Sequence, residues 1–339
     1  MKLVEVPKER VYNYSNIITK WGDIFVKKRD MVFALLIAIV WGANFTVVKL
    51  GVEGVPSMLL VSLRYVIVAL PAVFFIKKPD IEWKYIILYG LTVGVGQFSC
   101  LFYAIEIGMP AGLASILTQL QAFISPLFAW MILKEKLKMK QILGFLIASI
   151  GLFAIAVSSG TGDMEAISIL AFVLTILVPV FWSLSNIVVG FISKEAAADE
   201  KEIDMLGLIV WSALIPPLPL LAFALMLDSP KTLIDAVINM NLMSIFAILY
   251  LGLGCTLFAY SMWSHLIAKY SIGKIAPLSL LIPITGLMTA RIVLSEKLTG
   301  MQWVGAIIII IGLMITDWDF KVMMDSIKRY QKKDDETIG

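Results

Sequence analysis

Arg64, Asn44, Gln97, Gln119, Gln121 and Asn186 stand inside long apolar runs of this 339-residue chain, where a polar group costs free energy unless something pairs with it. The chemistry these residue types offer is recognition. Arg64 lies about two helical turns in from the end of its run, and its planar guanidinium suits a carboxylate or a helix-end carbonyl. The amides can donate and accept, and each has a competing role as an interhelical hydrogen bond worth roughly 0.6 kcal/mol on average. Gln119 and Gln121 are two positions apart, so they point to different sides of a helix and one of them faces a shared interior. Trp41, one turn before Asn44, is too deep for an interface anchor and offers a ring face to a cation. Trp182 and Asn186 repeat that arrangement loosely.

Catalytic patterns are missing from the sequence. It contains no HExxH or GxSxG motif and no intramembrane pair of acids able to do hydrolysis. An enzyme is therefore not expected. Cys100 and Cys255 sit in apolar runs without CxxC spacing and read as small buried side chains, so neither a metal nor any cofactor is expected. His265, the single histidine, falls near the end of its run and reads as a bystander.

The elements that must carry these residues follow from composition. With 60% hydrophobic and 16% charged residues and a mean hydropathy of +0.90, the chain cannot cover a soluble surface and reads as an all-α polytopic membrane protein in contact with the lipid bilayer. A net charge of +3 gives no sign of a nucleic-acid partner. Apolar segments able to span occur at about 31–50, 57–76, 84–105, 110–133, 140–157, 166–190, 205–226, 242–268, 274–294 and 301–317, which makes ten transmembrane helices. Residues 1–30 form a basic leader without a signal-peptide cleavage site, and 318–339 a basic tail. Loops 77–84, 134–140, 191–204 and 269–274 hold eleven Lys residues, against Lys231 and Lys297 in the intervening ones. The positive-inside bias therefore places both termini in the cytoplasm.

The order of these helices is duplicated. Lys134 to Leu152 reappears as Ser295 to Leu313, 161 positions later, with nine of nineteen residues identical, including Glu135/Glu296, Gln141/Gln302, Gly144/Gly305 and Gly151/Gly312. Ile87-Leu88-Tyr89 and Ile248-Leu249-Tyr250 keep the same offset, as do Gly112 and Gly273. Repeats of five helices enter the membrane in opposite senses, so 31–157 and 166–317 read as two inverted five-helix repeats, the architecture of alternating access. The duplicated acids Glu135 and Glu296 are expected to cap helix ends or pair with loop lysines.

Four stretches carry a family resemblance: Val40-Trp41-Gly42-Ala43-Asn44-Phe45, Gly108 to Ser115, Trp211 to Pro216, and Ala276 to Pro283. Over about residues 31–316 the chain resembles the EamA family of the drug/metabolite transporter superfamily. That resemblance implies a multi-pass cell-membrane carrier, a central cavity lined by helices 1–4 and 6–9, and helices 5 and 10 as scaffold. It implies export of small amino-acid metabolites of the O-acetylserine and cysteine kind. Trp41, Asn44, Arg64, Gln97, Gln119, Gln121, Trp182 and Asn186 are then the candidate substrate-binding residues, in a monomer or a homodimer. The alternatives are export of a bulkier substrate, such as an aromatic amino acid or a cationic drug, and a membrane scaffold or sensor with a degenerate cavity. Snorkelling to the headgroups is the expectation for Lys49 and Arg291, and a place in the interfacial belt for Trp263.

Overall fold

The structure, a computed structural model, describes residues 27–158, 167–201, 203–270, 278–279 and 281–317. The first 26 residues, the tail from 318, and the stretch holding Gly273, Lys274 and Pro277 lie outside the described residues. The described residues form helices and no strands: α1 (Lys28–Val52), α2 (Ser57–Ala72), α3 (Trp83–Glu106), α4 (Ala111–Leu133), α5 (Met139–Ser158), α6 (Ile169–Ala198), α7 (Met205–Leu227), the short α8 (Pro230–Ile238), α9 (Leu242–Leu249, Tyr250–Ala259 and Tyr260–Tyr270 in succession), α10 (Leu281–Val293) and α11 (Gly300–Asp317). Helices α1, α3, α4, α6, α7 and α9 are long and apolar enough to cross a membrane, while α2, α5, α10 and α11 are shorter apolar helices.

Apolar residues surround most of these helices, so their starts depend on side chains that satisfy the orphan backbone N–H groups. Ser168, Asp204, Ser229 and Asn241 do this locally, accepting from the amides of Ala171, Gly207, Thr232 and Ser244. Two other starts are capped from a distance. Glu106 accepts from the Ser57 amide at 3.1 Å and from its hydroxyl at 2.6 Å, at the start of α2. Glu296 accepts from the amides of Ala111 and Gly112 at 2.7 and 3.0 Å, at the start of α4. A carboxylate at a helix N-terminus also meets the positive end of the macrodipole.

These contacts sort the loops to two ends. At one end Lys201 pairs with Asp80 at 2.6 Å, the Trp211 indole donates to the Ile76 carbonyl, and Lys194 donates to that of Leu133. Hydrogen bonding to Lys201 holds the Asp80 carboxyl below the usual carboxylate range. At the other end stand the Glu106 and Glu296 caps and Lys49, whose ammonium donates to the Ile105 carbonyl at 3.2 Å. Lys49 thus ties α1 to α3 where snorkelling is the sequence expectation; the Ile105 carbonyl at the α3 C-terminus, which also accepts from the Gly108 amide, lies within its reach. Asp30, placed in the leader by the sequence, lies in the first turn of α1 and is buried.

The 161-residue offset has local counterparts in the backbone. Lys134 and Ser295 both adopt the left-handed region, with φ of 59° and 55°. The amide of Glu135 donates to Ala129 O as that of Glu296 donates to Ala290 O. Gln141 accepts from the Lys138 amide as Gln302 accepts from that of Thr299. Helices α3 and α9 both carry π-helical stretches, at Gly90–Gln97 and Tyr250–Ala259. Helices α5 and α11 pack on each other through the duplicated glycines. A Cβ on Gly151 would stand 2.5 Å from Gly305 O, one on Gly305 2.6 Å from Gly151 O, and one on Gly312 2.7 Å from Gly144 O. The residue numbers rise on one helix as they fall on the other, so this pair runs antiparallel. Only a hydrogen side chain allows the approach.

Candidate functional site

Between the two ends, α1, α2, α3, α4, α6, α9 and α10 line a narrow, partly open central cavity. Its wall contains Trp41, Asn44, Arg64, Gln97, Gln119 and Trp182, six of the eight residues singled out from sequence, together with Phe45, Phe98, Leu101, Thr118, Cys255, Tyr260 and Ile282. Asn44, Gln97 and Gln119 are buried, and Arg64 is 1% exposed.

Arg64 is held without neutralisation. Its Nε and Nη2 donate to Thr256 Oγ1 at 3.3 and 2.9 Å, and its guanidinium carbon lies 4.0 Å from the Phe98 ring centroid, over the negative face. Nη1 has no partner, and among the described residues no carboxylate stands within ion-pair distance of Arg64. The Gln97 Oε1 acceptor on the same cavity is also buried without a partner. A donor and an acceptor are therefore both left open around one space, and leaving either unmade costs roughly 1–3 kcal/mol. A ligand with an acid and an amine would satisfy both.

The π-helical stretches explain how an apolar helix can hold this arrangement. The wider turn shifts the register, so the Thr256 hydroxyl bonds the carbonyl of Leu251, five residues back, at 3.0 Å while accepting from Arg64. In the same stretch the Cys255 carbonyl accepts from the Trp41 indole at 3.1 Å, which fixes that ring against the cavity. Tyr260 and Trp263 meet Trp41 edge-on at 5.0 and 5.4 Å. Trp263 therefore belongs to this aromatic cluster, and the expectation of an interfacial belt residue is corrected.

Gln121 and Asn186 do not join the cavity. Backbone bonds from Gln119 to Ile116 and from Leu120 to Leu117 tighten α4 into i→i−3 turns, after which Gln121 faces α6. Asn186 Nδ2 donates to Ser125 Oγ at 2.9 Å and to Gln121 Oε1 at 3.3 Å, and Ser125 Oγ lies 3.1 Å from Ser183 Oγ. Asn186 and Ser125 line a separate space of about 650 Å³ that opens beside Glu135, Lys136 and Gln141. Trp182 and Asn186, read as one unit from sequence, are thus divided between two spaces by the turn of α6.

Sequence reasoning missed Thr256, Phe98 and Tyr260. A hydroxyl in an apolar run opposite an intramembrane arginine is the signal that points to Thr256. The rings carry no such mark, because aromatic residues are common throughout these spans. Arg291, exposed, donates to the Glu296 carbonyl at 3.4 Å, and His265 is exposed and absent from the cavity wall.

Comparison with known proteins places the chain in a family. The EamA-like transporter family model matches residues 29–157 and 169–316. A Salmonella typhimurium (strain LT2) protein named "Probable amino-acid metabolite efflux pump" is 38% identical over 297 residues, covering 88% of this chain and 97% of its own. The Escherichia coli (strain K12) protein of the same name is 37% identical over 290 residues, covering 86% and 95%. A Streptantibioticus cattleyicolor protein named "Probable terminal-alkyne amino-acid exporter" is 24% identical over 297 residues, covering 86% and 94%. One protein of known crystal structure shares the fold with a TM-score of 0.55 at 13% identity, over 86% of this chain and 98% of its own. By the family match and these relatives, the chain is a multi-pass membrane transporter that belongs to the EamA-like transporter family.

Proposed function

We propose that this transporter exports small zwitterionic amino-acid metabolites, of the O-acetylserine and cysteine class, from the cytoplasm by alternating access. The observation that carries this reading is the pair of unpartnered groups on one cavity, Arg64 Nη1 and Gln97 Oε1. Arg64 takes the carboxylate; Gln97 Oε1 and the rings of Trp41 and Trp182 take the ammonium. Asn44 and Gln119 hydrogen-bond the polar side chain. The antiparallel glycine contact of α5 with α11 and the backbone features that recur at an offset of 161 residues support two inverted five-helix repeats around this cavity. Ten crossings with the lysine-rich loops inside put both termini in the cytoplasm of the cell membrane. A second reading, export of an aromatic amino acid, has support from the rings of Trp41, Phe98, Trp182 and Tyr260 in the wall.

Extracellular metabolite profiling of a producing cell, with and without the protein, tests the proposal. Accumulation of cysteine or O-acetylserine outside the expressing cell supports it. Accumulation of aromatic amino acids alone favours the second reading, and unchanged medium contradicts both.

A further inference from the structure

Arg64 belongs to two spaces. Beside the amide-lined cavity a second, smaller chamber is lined by Tyr65, Tyr89, Ser212, Thr256 and Tyr260, with Arg64 lining both. Tyr89 is six residues from the start of α3 and Ser212 seven from the start of α7, which sets the chamber about 9–10 Å in from the end bearing loops 73–82 and 199–204. Asn44 and Gln119 are each eight residues from the opposite ends of their helices, so the two spaces lie in series along the molecule with the guanidinium between them.

The side-chain polar groups of the chamber are the Arg64 guanidinium, which only donates, and hydroxyls, which can donate or accept. Ser212 is already occupied, donating to the Ile209 carbonyl at 3.1 Å. The hydroxyls of Tyr65, Tyr89 and Tyr260 make no hydrogen bond to any described residue, although Tyr65 and Tyr89 are buried. None of these hydroxyl oxygens is among the buried atoms left without a partner, so they open onto free space, and Tyr65, Tyr89 and Tyr260 all line this chamber. The remaining open group beside them is Arg64 Nη1, also a donor. Phenolic O–H groups that share a chamber with a guanidinium, with no carboxylate in its lining, can donate to an acceptor that bears negative charge.

We propose that this phenol-lined chamber is the carboxylate subsite of the transporter: a bound amino acid lies across Arg64, its carboxylate taken by Arg64, Tyr65 and Tyr89, and its amine directed into the amide-lined cavity. The proposal rests on the amino-acid reading for the identity of the substrate, but the recognition of a carboxylate by the chamber stands apart from it. Of these two spaces, Tyr65 and Tyr89 line the chamber and not the cavity, and Asn44 and Gln119 the cavity and not the chamber, so the two ends of the ligand are separable by mutation.

The test uses sodium propanoate, which has the carboxylate and no amine, with propanamide and sodium chloride as controls. Binding to the purified full-length protein is measured by ligand-detected NMR. Wild type is expected to bind propanoate and not propanamide. Tyr65→Phe and Tyr89→Phe, which keep the ring and the packing, are each expected to weaken propanoate about tenfold, the scale of one hydrogen bond to a charged group. Lys231→Ala, on the exposed surface of α8, is expected to change it less than twofold. Wild-type affinity in both Tyr→Phe variants, or equal binding of propanoate and propanamide, would overturn the subsite. A cell that exports no amino acid while its purified transporter keeps the propanoate pattern sinks only the amino-acid reading, and export of amino acids without the tyrosine effect sinks only the subsite.

Discussion

The α5/α11 seam and the central cavity solve opposite problems in one apolar molecule. At the seam the duplicated glycines let two aliphatic helices meet backbone to backbone, and Gly151 and Gly305 each face the other's carbonyl. Among the described residues of the seam, no buried side-chain polar atom lacks a partner. At the cavity the helices carry wide turns, a buried guanidinium with an open N–H, and an amide with an open oxygen. The seam has spent its contacts on itself, while the cavity holds some in reserve. Close packing of small residues gives a surface one arrangement, whereas unmet polar groups favour whatever state supplies a partner.

The sharpest attempt to break this contrast is Arg64→Gln. Removing two charge-assisted contacts of about 1.5 kcal/mol each is expected to lower transport roughly a hundredfold, measured in liposomes against the amount of folded protein. A variant that transports normally would make Arg64 a packing residue like those of the seam. The converse change is Gly151→Leu. Its side chain must push against Gly305 O and Ile309, so the melting temperature should fall, by the ~1–3 kcal/mol that overpacking costs. Transport per folded molecule should stay near wild type.

Smaller effects sharpen the line within the cavity. Asn44→Ala and Gln119→Ala should each lower transport about fivefold, near the ~1 kcal/mol of an ordinary hydrogen bond, with normal amounts of protein in the membrane. A parallel loss of folded protein and transport would move these amides to the structural side of the comparison. The smallest effect is expected for His265→Gln, because His265 is exposed and no Asp or Glu lines the cavity. Flux down the substrate's own gradient should change less than twofold and run without an imposed pH difference. Strict dependence on a proton gradient, abolished by that change, would contradict this, since among the described residues the cavity wall holds no carboxylate and no histidine.

The seam was more legible in the sequence than the cavity. Gly144, Gly151, Gly305 and Gly312 repeat at one offset, and their smallness marks close-packing surfaces, but that α5 and α11 meet each other through them is seen only in the fold. The buried amides and Arg64 were also visible, because a polar side chain in an apolar run stands out against its neighbours. Their grouping was only partly visible. Gln121 and Asn186 have the same composition signal as Gln119, yet the tightened turns of α4 at Gln119 and Leu120 send Gln121 to α6. The π-helical register that brings Thr256 to Arg64 leaves no mark in hydrophobic periodicity, since every residue around it is apolar or small. Lys49 and Trp263 were misplaced for a related reason: helix-end lysines and tryptophans usually meet the headgroups, and the carbonyl of Ile105 and the ring of Trp41 compete only once the fold is formed.

Cys255 gives the most direct test that a substrate occupies the central cavity. It lies in the cavity wall, and Cys100, the other cysteine, does not. In a Cys100→Ser protein, the rate at which a membrane-permeant thiol reagent alkylates Cys255 can be followed with and without O-acetylserine. The account predicts at least a threefold slowing, half-maximal at the concentration that half-saturates transport, and loss of that protection in Arg64→Gln. An alkylation rate unchanged at saturating O-acetylserine, in protein that transports it, would contradict the account.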